Sequence, residues 1–255
     1  MAGLELLSDQ GFRIDGRKPH ELRKIECRMG VFTQADGSAY VEQGNTKILA
    51  AVYGPHEVNE PWQVIWDAIT VRGSMRSKLQ HDKVLINCQY SMATFSTSER
   101  KRRPRGDRKS QEMTMHLKQT FEAAVMINLY PRSQIDIYVL QSDGGNYCAS
   151  VNAATLALID AGVALKDYVC ACSASYIRDT QLVDINYLEE SSGGPEIVVT
   201  TLPKSDQIVF LEMNGRIHED NLSKVLDLAM KGCRDVYTVL DGVVREHVAP
   251  PNGPE

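Results

Sequence analysis

The chain has 255 residues, 43% of them hydrophobic and 24% charged, with a net charge of −5, proportions of an ordinary globular protein of one large domain or two small ones. No apolar run approaches the ~20 residues of a membrane-spanning helix, and Met1-Ala2-Gly3-Leu4-Glu5 lacks the basic-then-apolar layout of a secretory leader, so a cytosolic or nuclear chain without membrane contact is expected. The six cysteines contain no Cys-x-x-Cys pair and the six histidines are dispersed, so neither a metal site, nor a disulfide framework, nor a cofactor is expected.

Residues 4–26 are mixed and polar, with a turn at Asp15-Gly16-Arg17, and read as an extended arm leading into the fold. From Arg28 the pattern turns to strand. Met29, Val31 and Phe32 lead to a turn at 35–38, then residues 39–42, a turn at 43–46 and an apolar run at 48–53 that Gly54-Pro55 ends. Three short strands joined by tight turns make a meander whose apolar face needs a cover. Periodicity dissolves over residues 59–83, where both tryptophans, Trp62 and Trp66, lie. Loops of that length are often functional, and this one ends in the cationic stretch Arg72-Gly73-Ser74-Met75-Arg76-Ser77-Lys78.

Residues 84–90 read as a further strand. The run that follows carries Arg100, Arg102, Arg103, Arg105, Arg108 and Lys109, so charge is segregated and the overall negative balance does not exclude a polyanionic partner. A charge run is ordinarily a solvated face, but Pro104 and Gly106 make this one a loop. It leads into a helix beginning near Ser110, with Met113, Leu117, Phe121, Ala124 and Val125 at helical spacing and Pro131 beyond its end. Arg108 and Lys109 thus sit at a helix N-terminus, where the dipole disfavours cations unless an anion joins them.

Ile135, Ile137 and Val139 alternate as in a half-buried strand, and Gln141-Ser142-Asp143-Gly144-Gly145-Asn146-Tyr147 turns from it into a helix that runs to Gly162. Such a junction aims backbone N–H groups and a helix dipole at one point, where an anion could be held. The same glycines also suit a plain turn, and no arginine or lysine follows them to fork onto an anion's oxygens. Further on, residues 168–177 and 182–188 read as strands, with Cys170 and Cys172 packed as small hydrophobes. Residues 197–202 and 208–212 form a strand pair, 218–247 a long amphipathic helix, and 249–255 a disordered tail. The two halves share an order of strands followed by helices, which predicts an α+β protein.

Asp15-Gly16-Arg17, Asp36-Gly37-Ser38-Ala39, Gly44-Asn45-Thr46-Lys47, Gly54-Pro55, Arg108-Lys109-Ser110, Leu140-Gln141-Ser142-Asp143-Gly144-Gly145 and Val183-Asp184-Ile185-Asn186-Tyr187-Leu188-Glu189-Glu190 occur in that order along nearly the whole chain. As an ordered set they resemble the RNase PH family, and within it the core subunits of the eukaryotic RNA exosome. The resemblance implies an RNase PH-like fold of two ββαβα-like halves, with mixed sheets packed against helices, in a single domain over 1–255 (about 10–130 and 131–248). Against the family pattern, residues 59–70 read as an insertion and the strand at 134–140 as two residues short, a change that keeps the face alternation.

Active members of the family perform phosphorolysis, in which inorganic phosphate attacks the 3′-terminal phosphodiester of RNA. By position, Arg108 and Lys109 match the family's RNA-phosphate pair, Asp184 its catalytic carboxylate and Glu190 a second acid. Where active members continue the glycine turn with Ser or Thr and then a phosphate-binding Arg, this chain has Asn146 and Tyr147. Each lost charged hydrogen bond is worth about 1.5–3 kcal/mol, so Gly144, Gly145, Asn146 and Tyr147 are expected to form a degenerate phosphate site, leaving Asp184 and Glu190 as catalytic relics.

The expected role is therefore a non-catalytic, RNA-binding ring subunit that guides single-stranded RNA through a central channel for 3′-to-5′ processing, rRNA processing and mRNA decay. Arg72, Arg76, Lys78, Arg100, Arg102, Arg103, Arg105, Arg108 and Lys109 would contact RNA. The partners implied are other RNase PH-like subunits, S1/KH cap subunits and an associated hydrolytic nuclease, in nucleus, nucleolus and cytoplasm. An active phosphate-dependent exoribonuclease is the alternative. A third reading is an interaction protein whose basic run is only solvated.

Overall fold

The structure is a computed structural model that describes residues 6–8, 10–54, 86–97, 100, 107–126 and 133–249, with 133–140 described as backbone. Five strands form the first sheet: β1 (Ile25–Met29), β2 (Gly37–Gln43), β3 (Thr46–Tyr53), β4 (Ile86–Met92) and β5 (Ser133–Gln141), in the spatial order β1-β2-β3-β5-β4. The meander predicted for β1 to β3 is antiparallel, and its register sets Ala39 opposite Ala50 and Val41 opposite Ile48, all buried. β5 enters between β3 and β4, antiparallel to the first and parallel to the second. A parallel pair needs a crossover, and helix α1 (Arg108–Ala124) lies within it, packed on β4.

The second sheet holds β6 (Cys170–Ile177), β7 (Thr180–Val183), β8 (Glu196–Leu202) and β9 (Gln207–Asn214), in the order β7-β6-β8-β9, all antiparallel. Helix α4 (Glu219–Val248) covers it through the predicted stripe, burying Val225, Ala229, Cys233, Val236, Leu240 and Val244. Helix α2 (Asn146–Asp160) packs on β2 and β3 of one sheet and β6 of the other, with every residue from Tyr147 to Leu158 buried. Its buried polar side chains Ser150, Asn152 and Thr155 bond to backbone carbonyls, and its Ala153, Ala154 and Ala157 allow both sheets to come close. At Gly37, the first residue of β2, an added Cβ would lie 2.3 Å from the Ala157 carbonyl oxygen and the Ala161 nitrogen.

Three expectations are corrected. The division near residue 130 falls one strand early, because β5 belongs to the first sheet. The strand expected over 182–188 ends at Val183: Asp184 adopts φ 52, and a short helix, α3 (Tyr187–Ser191), follows under a capping box of Asn186 and Glu189. The arm is strapped down rather than merely leading in. Leu6 and Leu7 bury against Ile177, Leu182 and Ile185, and the Val183 N–H donates to the Pro19 carbonyl at 2.9 Å. Cys170 and Cys172 are fully buried, as expected of small hydrophobes. The tail beyond Ala249, which caps α4, and the insertion at 59–70 lie outside the described residues.

Candidate functional site

The strand–turn–helix junction forms as predicted. Gly144 and Gly145 take φ 78 and φ 62, and an added Cβ at Gly144 would come within 2.6 Å of the Asn186 carbonyl carbon and the Tyr187 nitrogen, so only glycine passes beneath that segment. Thr46 braces the turn, donating through Oγ1 to the Gly144 carbonyl at 2.9 Å and accepting from the Asp143 N–H at 3.2 Å. Gly145, the N-cap of α2, offers no side-chain acceptor, and no acid occupies the first turn. The backbone half of an anion cradle is in place.

Its side-chain half is not. Tyr147 is 4% exposed and shares a 2.6 Å hydroxyl–hydroxyl hydrogen bond with Thr120 of α1, while its ring packs 5.1 Å from Phe210 of β9 and edge-on to His116. Burial pushes its phenol well above the ordinary value, so it is a neutral core residue. Asn146 turns back to donate to Ser142 Oγ at 2.7 Å.

A cation does stand beside the turn, and it comes from the arm. The Arg23 guanidinium reaches the Gly144 carbonyl at 3.4 Å, and it is held by Asp184 through Nε at 3.0 Å and Nη2 at 2.8 Å. Asp184 is 1% exposed and also accepts from the Arg23 N–H at 2.8 Å and Gln43 Nε2 at 2.9 Å. Although burial opposes it, the Arg23 charge with its hydrogen bonds holds the Asp184 carboxyl below its usual range. Arg13 completes the clamp, pairing with Glu189 and donating to the carbonyls of Val183 at 2.6 Å and Asp184 at 3.0 Å. Asp184 is thus a buried carboxylate whose two oxygens are both taken up by Arg23 and Gln43. One signal lay in the sequence: an aspartate flanked by Val183 and Ile185 reads as buried, and a buried carboxylate requires a cation.

Glu190 is only partly buried and does face other charges. Burial first, then the charges of Glu190 and Glu212, raise the carboxyl of Glu196 at the start of β8 to about 7, with Lys109 opposing them. Glu190 also acts on the buried phenol of Tyr90. Glu212 lies 3.4 Å from His116 Nδ1. The charges of Glu190, Glu212 and Lys109 thus all reach Glu196; Arg108 and Lys109 are exposed at the N-terminus of α1, where Asp107 caps the helix by accepting from the Arg108 N–H at 2.9 Å. Sequence reading missed Glu196, Glu212 and His116, which belong to no motif and meet only through the pairing of β8 with β9 and the packing of α1 on β9. Arg100 is exposed as expected; Arg72, Arg76, Lys78, Arg102, Arg103 and Arg105 lie outside the described residues.

Two sheets sharing a buried helix that starts at an uncapped glycine turn, with a strand–turn–helix junction at residues 141–146, are the frame against which the chain's relatives are to be compared. The chain belongs to the 3′ exoribonuclease (RNase PH) family, whose first domain matches residues 21–164 and whose second matches 167–232. It is 60% identical to the human exosome complex component RRP41 over 97% of this chain and 96% of that one, and 39% identical to Rrp41 of Methanopyrus kandleri over 91% of each. The RNase PH-like fold recurs in rice Rrp46 (TM-score 0.75, 21% identity, 91% of this chain and 100% of that one). It recurs again in a chain of the Archaeoglobus fulgidus exosome with RNA bound to the active site (TM-score 0.70, 22% identity, 90% and 92%).

Proposed function

We propose that this chain is an exosome core subunit that binds single-stranded RNA without cleaving it. Its exposed Arg108 and Lys109, with the basic stretches of sequence before them, contact RNA phosphates along a channel that leads to an attached hydrolytic nuclease. Other RNase PH-like subunits would flank it and S1/KH subunits cap it, in nucleus, nucleolus and cytoplasm. The observation that carries the reading is Tyr147, a neutral ring bonded to Thr120 where phosphate would need a forked cation. Asp184 is consumed by Arg23 and has no free oxygen for chemistry. The uncapped start of α2 and the Glu190–Glu196 pair favour the alternative, an active phosphorolytic exoribonuclease, because an amide cradle and a carboxyl raised to about 7 are usable parts.

Incubating labelled single-stranded RNA with the ring assembled around this chain, with and without inorganic phosphate, separates the two. No phosphate-dependent release of nucleoside diphosphate is expected; release that Glu190→Gln abolishes would establish the alternative. Arg108→Ala with Lys109→Ala should weaken RNA binding about tenfold or more and flatten its log-salt slope by about 1.4, two contacts at ~0.7 each. An unchanged affinity and slope would leave the basic run merely solvated.

A further inference from the structure

Phe95 is the most exposed large hydrophobic residue among those described, at 74%. It is not a loose side chain on a loose loop. The Ser96 N–H donates to the Ala93 carbonyl at 3.1 Å and Ser96 Oγ to the same oxygen at 2.7 Å, closing a tight turn around it. Ser96 is itself buried, and its carbonyl accepts from the Ser142 N–H at 3.1 Å. Ser142 in turn accepts through Oγ from the side chain of Asn146, the first residue of α2. Two hydrogen bonds therefore tie the ring's turn to the mouth of the anion cradle. Phe95 is thus the chain neighbour of a residue bonded directly to the glycine turn.

The surroundings indicate what meets this ring. Its neighbours Ala93, Thr94, Ser96 and Thr97 are small or hydroxylic, and Arg100 is exposed five residues on. A protein-docking patch needs contiguous apolar area, whereas a lone exposed ring on a hydrogen-bonded turn, with an exposed arginine five residues on, matches a nucleobase with its phosphate, the pairing that single-strand binders use. We propose that Phe95 is a stacking platform for one base of single-stranded RNA passing the glycine turn, its turn pinned so that the ring and the exposed cations of α1 contact the same strand. This rests on the proposed RNA path. It adds a contact that depends on the base and is blind to its identity, because every base has a π face.

The test compares a labelled oligoadenylate with an abasic RNA of equal length and charge, each bound to the assembled ring. Phe95→Ala should weaken oligoadenylate binding about tenfold and leave the abasic RNA unchanged, with no change in salt slope. Phe95→Trp should restore affinity, and its added fluorescence should be quenched by oligoadenylate and not by the abasic strand. Equal affinity for wild type and Phe95→Ala, or equal weakening on both RNAs, overturns the proposal. So does loss of ring assembly in Phe95→Ala, which would make the ring a protein contact. The Arg108→Ala, Lys109→Ala variant should weaken both RNAs. If it weakens neither, the cationic path itself is wrong, whereas failure of Phe95→Ala alone removes only the stacking role.

Discussion

Glu196 shows how a residue outside every motif acquires a property from its neighbours. An acid raised from its ordinary 4.5 to about 7 binds its proton more tightly in the folded chain than in the unfolded one. Its contribution therefore favours folding at low pH and is lost as pH rises from 4.5 through about 7, the reverse of the usual carboxylate. One pKa unit corresponds to about 1.4 kcal/mol, and the carboxyl keeps some contact with water, so the loss amounts to about 2 kcal/mol. Glu196→Gln should gain about that much on wild type between about pH 5 and pH 8, read from urea unfolding at each pH; a constant difference would mean that neither burial nor the charges of Glu190 and Glu212 raise this carboxyl. The sequence could show that Glu196 begins a strand, and it could not show which carboxylates the strand pairing would bring beside it. The partners of Asp184 were hidden for a related reason. Position along the chain matched a catalytic acid, while its partners Arg23 and Gln43 lie 161 and 141 positions away.

Among the elements, those read correctly carried a period of their own. The stripe of α4, the alternation in β5 and the turns between β1, β2 and β3 are local signals, and each appears within a few residues of its expected bounds. The strand read at 182–188 misled because apolar alternation continues past Asp184, while Asn186 and Glu189 already held the capping-box spacing of a helix start. What no local pattern could show is that α2 serves two sheets at once. That sharing leaves little tolerance at its C-terminal end, where a methyl on Gly37 would strike backbone atoms of Ala157 and Ala161. Gly37→Ala should destabilise the chain by about 1–3 kcal/mol, as overpacking does when the obstructing atoms cannot swing away. A thermal midpoint within about 1 °C of wild type would show that β2 can retreat from the helix.

Across the whole molecule, the buried core runs without a break from Ile48 and Val52 of the first sheet, through Leu156 of α2, to Cys172, Val198 and Leu240 of the second. The family's division into two domains near residue 165 is thus a division of the chain and not of its core. Neither sheet can expose its inner face without exposing α2, so the two should melt together. Calorimetry should find one transition whose van't Hoff enthalpy equals the measured enthalpy; two resolved transitions would mean that α2 remains with one sheet when the other opens.

The strap of arginines sets an order in time. Arg13 and Arg23 find their anions only at Glu189 and Asp184, 176 and 161 positions later, so during synthesis the arm's charges wait, hydrated and unpaired, while the first sheet is already on hand. Closing so long a loop is slow, and the arm cannot seat until β7 and α3 have emerged. A chain stopped short of Asp184 would hold two guanidinium groups with nothing to bury them against, and its arm would stay open to proteases. The two arginine–carboxylate pairs thereby serve as a completeness check on the nascent chain, closing only when the second half has arrived.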